Sequence, residues 1–105
     1  MKARQERYIE RDDLRDATHL EITVSYTKGG ANYFSGGVTP RGFYLSVNPV
    51  KKGERSVCYR LFSGQSELLF EAQRYTAKQF ARAVEMAKSR EEALISAVVM
   101  ANKAA

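Results

Sequence analysis

The sequence predicts an α+β fold: an antiparallel meander sheet of four or five strands with a long C-terminal helix packed on one face. Two patterns predict it. Leu20, Ile22, Val24 and Tyr26 alternate with Glu21, Thr23 and Ser25, and three further short runs alternate in the same way. Strand side chains point to opposite faces in turn, so each run has one oily and one polar side. From Thr76 onward the apolar spacing changes to that of one long helix. One sheet face is then buried under the helix and the other is left open.

Residues 1–18 hold five basic side chains (Lys2, Arg4, Arg7, Arg11, Arg15) and five acidic ones (Glu6, Glu10, Asp12, Asp13, Asp16), with little apolar material. They read as a charged N-terminal arm or short helix, ahead of a single sheet-plus-helix domain over residues 19–105. The first strand runs over His19–Thr27. Lys28-Gly29-Gly30-Ala31-Asn32 is a turn, because paired glycines supply positive φ without steric cost. Tyr33 and Phe34 open a second strand that Gly36 and Gly37 weaken. Thr39-Pro40-Arg41-Gly42 is a turn with proline where a fixed φ is wanted. The third strand, Phe43–Asn48, is expected to stop at Pro49. The fourth and fifth, about 55–62 and 67–75, flank Ser63-Gly64-Gln65-Ser66, which reads as a hairpin connection.

Thr76 with Gln79 three residues later forms a capping box, so the helix starts there. Phe80, Val84, Ala87, Leu94, Val98 and Ala101 keep one phase. Glu91 interrupts them, and Ser89-Arg90-Glu91-Glu92 offers a second helix start as the alternative to a continuous helix. Unbroken, it would be ~42 Å long at 1.5 Å per residue, against ~23 Å for a seven-residue strand. Leu94, Ile95, Val98 and Val99 are therefore expected to overhang the sheet and to form a homodimer interface. The expected core is Leu20, Ile22, Val24, Leu45, Val47, Leu61, Phe70, Phe80 and Val84.

Composition bounds the chemistry. The 105 residues suffice for one domain, and 44% hydrophobic with 28% charged residues is ordinary for a globular protein. The single Cys58 leaves no internal disulfide, and no stretch has membrane-spanning length or the apolar core of a signal peptide, so the cytoplasm is expected. One His and one Cys give no metal site of the usual spacing. No glycine-rich segment precedes a helix with phosphate-loop spacing. No acid–base pair is evident. The expectation is a non-enzyme without metal or cofactor.

The net charge of +5 is uneven: zero over 1–18, +3 over 19–75 and +2 over 76–105. Such an excess suits a nucleic-acid partner. The open face should show Tyr44 and Arg60, joined by Tyr33, with Lys28, Arg41, Lys51 and Lys52 as a basic rim. Aromatic rings beside Arg and Lys are the components of single-strand binding.

Two resemblances follow. Lys28-Gly29-Gly30-Ala31-Asn32-Tyr33-Phe34 with Pro40-Arg41-Gly42-Phe43-Tyr44-Leu45-Ser46-Val47 resembles a pattern in small uncharacterised proteins of gut Gram-positive bacteria and their mobile elements, and implies no function. The order of strands followed by one long helix resembles the PC4-like group, which includes Whirly and PUR-type domains. That topology implies a dimeric module binding single-stranded DNA. The leading expectation is a small nucleic-acid-binding homodimer. The alternative is a protein–protein interaction or accessory module of a mobile element with no nucleic acid involved.

Overall fold

The computed structural model describes residues 4–31, 37–53, 58–61 and 64–104. In chain order these form β1 (Arg4–Glu10), β2 (His19–Thr27), β3 (Gly30–Ala31), β4 (Val38–Thr39), β5 (Gly42–Lys52), β6 (Cys58–Arg60), β7 (Gln65–Glu71) and α1 (Ala77–Ala104). Five strands make one antiparallel sheet in the order β1-β2-β5, with β6 and β7 both on the far side of β5, while β3 and β4 pair as a small separate ribbon. The helix packs against β5, β7 and β2. Among the described residues, no helix is long and apolar enough to cross a membrane.

Residues 4–10 correct the expectation of an arm or short helix. They form an edge strand in register with β2, from Arg4 opposite Ser25 to Glu10 opposite His19. Period-two alternation was present but written in charged residues: Arg4, Glu6, Tyr8 and Glu10 take one face, Gln5, Arg7 and Ile9 the other. The connection that follows returns Leu14 and Ala17 to the core.

Pro49 does not end its strand. β5 continues to Lys52, with Pro49 opposite Leu20. The Pro49 carbonyl accepts from the Leu61 N–H at 2.9 Å, so the proline's missing N–H also lies on the β6 side. That is where β6 gives way to β7, and only one ladder bond is forgone. The residues between them are not a hairpin connection either. β6 and β7 run the same way along one edge of β5, Arg60 opposite Val50 and Gln65 opposite Val47. They act as one interrupted strand. At the junction a side chain on Gly64 would collide with the Asn48 amide.

A register shift between Phe43 and Tyr44 corrects the last alternating run. Leu68 stands opposite Tyr44 and overlies Gly42, while the extra residue, Leu69, enters the core beside Phe70. The second strand expected at Tyr33 and Phe34 falls outside the described residues. On either side of it, Gly29 (φ 74°) makes the turn into β3, where any side chain would strike the Thr39 carbonyl.

The helix is continuous. Thr76 Oγ1 accepts the Gln79 N–H at 3.1 Å, as the capping box requires. Across the suspected break, Ser89 Oγ donates to the Met86 carbonyl at 2.8 Å, Arg90 pairs with Glu67, and Glu91 pairs with Arg7 at 2.5 Å. Glu91 interrupts the apolar stripe because it meets an arginine from β1. The expected overhang is absent. β5 has 11 residues, ~37 Å at 3.4 Å each, which nearly matches the helix. Ile95, Val98 and Val99 are buried in the chain's own core with Leu94 packed against them, at the end where Leu14 and Ala17 return. The length mismatch that made these four residues a dimer interface does not exist.

Phe43 is the centre of the opposite end. It is fully buried, with the rings of Tyr26 and Phe70 each 5.0 Å away and those of Tyr75 and Phe80 at 6.1 and 6.2 Å. Leu61, Phe70, Phe80 and Val84 are half-buried around the core rather than inside it.

Candidate nucleic-acid interface

The open face of the sheet is polar, as expected, but it is not bare. Glu21, only 6% exposed, accepts from Arg60 Nη2 at 2.6 Å and from the Tyr8 hydroxyl at 3.1 Å, with Arg4 Nη2 at 3.8 Å. Arg4 also holds Glu6 through Nε and Nη2. Two arginines meet two glutamates, so the middle of this face is close to neutral. Thr23, beside Glu21, is 3% exposed, and its buried hydroxyl has no hydrogen-bond partner among the described residues. A salt-bridged carboxylate inside a ring of long side chains holds the face together. It offers little to a polyanion.

The residues expected to bind therefore separate into two groups. Lys28 and Arg41 lie at the end of the sheet where β2 leaves and β5 enters, since Thr27 stands opposite Gly42. Lys51, Lys52 and Arg60 lie at the opposite end, ~30 Å away along β5, and Arg60 is committed to Glu21. Tyr33 lies outside the described residues. Tyr44 belongs with the first group: its hydroxyl donates at 2.6 Å to the carbonyl of Pro40, the residue before Arg41. Burial, and then the charge of Glu71, push this phenol above its ordinary value, so it stays neutral at physiological pH.

The first group gains residues that the strand-by-strand reading missed. Arg41 Nε donates to the Lys28 carbonyl at 3.1 Å and Nη1 to the Gln73 carbonyl at 3.0 Å, while the Ala72 N–H donates back to the Arg41 carbonyl. One guanidinium thus ties the β2 turn to the segment entering α1 and brings Arg74 and Lys78 to the same end. Arg82, one turn further on, lies over the Phe70 ring at 4.7 Å. Lys28, Arg41, Arg74, Lys78 and Arg82 are all exposed, with Glu71 the acidic residue among them, for a local charge of +4 (five minus one). The first turn of α1 carries no acidic side chain, so its N–H groups add to the positive potential. The only sequence signal for this cluster was charge in three separate segments, which needs the tertiary fold to assemble.

Arg41 should behave as a clamp. Arg41→Ala is expected to cost about 1–2 kcal/mol in urea denaturation, for two charge-assisted bonds at an exposed site. Arg41→Lys should recover little of that, because an ammonium cannot reproduce the planar fork between two carbonyls.

Between β1 and α1 runs a groove. One part, about 450 Å³, is lined by Gln5, Tyr75, Phe80 and Val84 among others. The next, about 320 Å³, is lined by Ile22, Val24, Ala87 and the Arg7–Glu91 pair. It exists because the helix lies over β2, β5 and β7 and leaves β1 unroofed. No group of three or more His, Cys, Asp or Glu side chains able to hold a metal occurs among the described residues.

The fold and its surface define an open-faced α+β protein with a cationic cluster where the sheet meets the start of α1. Comparison with protein-family models, curated proteins and solved structures finds no match.

Proposed function

We propose that the protein is a non-enzymatic nucleic-acid-binding module that holds single strands at the cationic end of its sheet rather than across the polar face. The observation that carries this reading is the convergence of Lys28, Arg41, Arg74, Lys78 and Arg82 around the start of α1. Lys28, Arg74 and Lys78 contact phosphates as mobile point charges. Arg41 and Arg82 are held by carbonyls and by a ring, and present fixed guanidinium edges. Tyr44 supplies a base-stacking surface on the adjoining open face. The ion-paired middle of the face and the distant Lys51–Lys52 end contribute little. The topological resemblance to PC4-like modules agrees with a single-stranded ligand.

Fluorescence anisotropy with a labelled single-stranded oligonucleotide tests this reading. Binding should be saturable at low salt and weaken steeply as salt rises. Each phosphate contact removed, as in Lys78→Glu or Arg74→Glu, should flatten the log–log salt dependence by about 0.7. Tyr44→Ala should weaken binding by ~1–3 kcal/mol, whereas Tyr44→Phe, which keeps the ring, should not. Absence of saturable binding to DNA or RNA at low salt would reject the proposal.

A further inference from the structure

β1 is an edge strand whose second side pairs with no described segment. Its backbone orientation follows from the bonding to β2. The Arg11 N–H donates to the Thr18 carbonyl, in the same register that sets Arg4 opposite Ser25. In an antiparallel ladder the groups facing a given neighbour alternate. Gln5, Arg7, Ile9 and Arg11 therefore address β2, and the N–H and C=O groups of Arg4, Glu6 and Glu10 point outward. An edge of this kind is either blunted or used.

The order of charges along β1 decides what fits. We infer that β1 pairs antiparallel with β1 of a second copy, about a twofold axis at Arg7. Only pairings that place even-numbered residues opposite one another let outward groups bond outward groups. Among these, the pairing with Arg4 opposite the other copy's Glu10 uses the whole strand and joins unlike charges at both ends, with Glu6 opposite Tyr8. Slipping by two residues one way places Glu6 opposite Glu6. Slipping the other way places Glu6 opposite Glu10. Like charges directly across a ladder are unfavourable. Arg7 would face Arg7 on the helix side, but each is already neutralised by Glu91 at 2.5 Å. Glu10 is exposed and has no ion pair among the described residues, so it is available to Arg4 of the other copy, whose Nε and Nη2 hold Glu6 and whose Nη1 takes no part in those bonds. The result is one continuous sheet across both copies with both helices on the same side. The grooves between β1 and α1 face each other across the axis. This contact differs from the helix-mediated one expected from the sequence, and it is independent of what the cationic end binds.

Sedimentation velocity and thiol cross-linking on the full chain test it. The wild-type chain should form a reversible dimer of twice 11.8 kDa as its concentration approaches roughly 100 µM. Glu10→Arg and Arg4→Glu should each weaken dimerisation about tenfold. The double swap, Arg4→Glu with Glu10→Arg, should restore it, because the charges are again unlike across the axis. In a Cys58→Ser background, Arg7→Cys should cross-link under mild oxidation, since a non-hydrogen-bonded antiparallel pair sets Cα atoms ~4.5 Å apart, within disulfide reach. Gln5→Cys should not cross-link with itself but should do so when mixed with Ile9→Cys. Circular dichroism of each variant separates loss of pairing from loss of fold. A wild-type chain that stays monomeric, a dimer indifferent to either reversal, or a folded double swap that fails to recover would each overturn the inference.

Discussion

Val98→Glu is expected to unfold the protein, not to split a dimer. Val98 is fully buried, packed in the core cluster that also holds Ile95, Val99, Leu14 and Ala17. A glutamate there must either bury an unpaired charge or take up a proton, and both also remove a well-packed side chain. The expected cost exceeds ~4 kcal/mol, a large part of the ~5–15 kcal/mol that holds a typical domain together. Circular dichroism should show the 28-residue helix melting at much lower temperature, or absent. Met100→Glu, two residues on at a position 70% exposed, should leave the melt within about 0.5 kcal/mol of wild type. A stable, folded Val98→Glu monomer would mean that the C-terminal half of α1 does not rest on its own sheet.

Phe43→Ala should cost ~3–5 kcal/mol in urea denaturation. The ring is fully buried, and four other aromatic rings lie within 6.2 Å of its centre. Removing it would leave Tyr26, Phe70, Tyr75 and Phe80 around a cavity that strand β5 cannot collapse to fill. Phe70→Ala should cost only about 1–2 kcal/mol from lost apolar burial, since Phe70 is half-buried at the rim of the core, beneath Arg82. Reversal of this order would show that the aromatic cluster is centred on β7 instead.

Alternation alone does not separate these two phenylalanines, since each stands in an alternating run. Strand β2 was legible to the residue, because Leu20, Ile22, Val24 and Tyr26 alternate cleanly and the first three are buried. The helix start was equally clear from Thr76 and Gln79. β1 was not, because its alternation lies among charged residues that are stabilised by partners distant in sequence: Arg7 by Glu91, and Tyr8 by Glu21. Pro49 reads as a stop in the sequence because its tolerance depends on which edge of β5 its missing N–H faces, a tertiary fact. The shift at Leu69 had no local signal. For the proposed interface, Tyr44, Lys28 and Arg41 stand out in the sequence as residue types, but their grouping at one end of the sheet is not readable from it. Alternation says which face a side chain takes and nothing about which end of the sheet it occupies. Arg74, Lys78 and Arg82 join them for the same reason: the helix start reaches the β2 turn through bonds of the folded chain, from Arg41 to the Lys28 and Gln73 carbonyls and from Tyr26 to the Ala72 carbonyl.

The most direct test of the nucleic-acid reading is a titration of the ¹⁵N-labelled full chain with a short single-stranded oligonucleotide, followed by amide chemical shifts at low salt. The predicted perturbations cluster at Lys28, Arg41, Tyr44 and Gln73 to Lys78, and near Arg82, with Lys51, Lys52 and Arg60 unmoved. Perturbations centred on Lys51, Lys52 and Arg60, or a spectrum that does not change at saturating oligonucleotide, would contradict it.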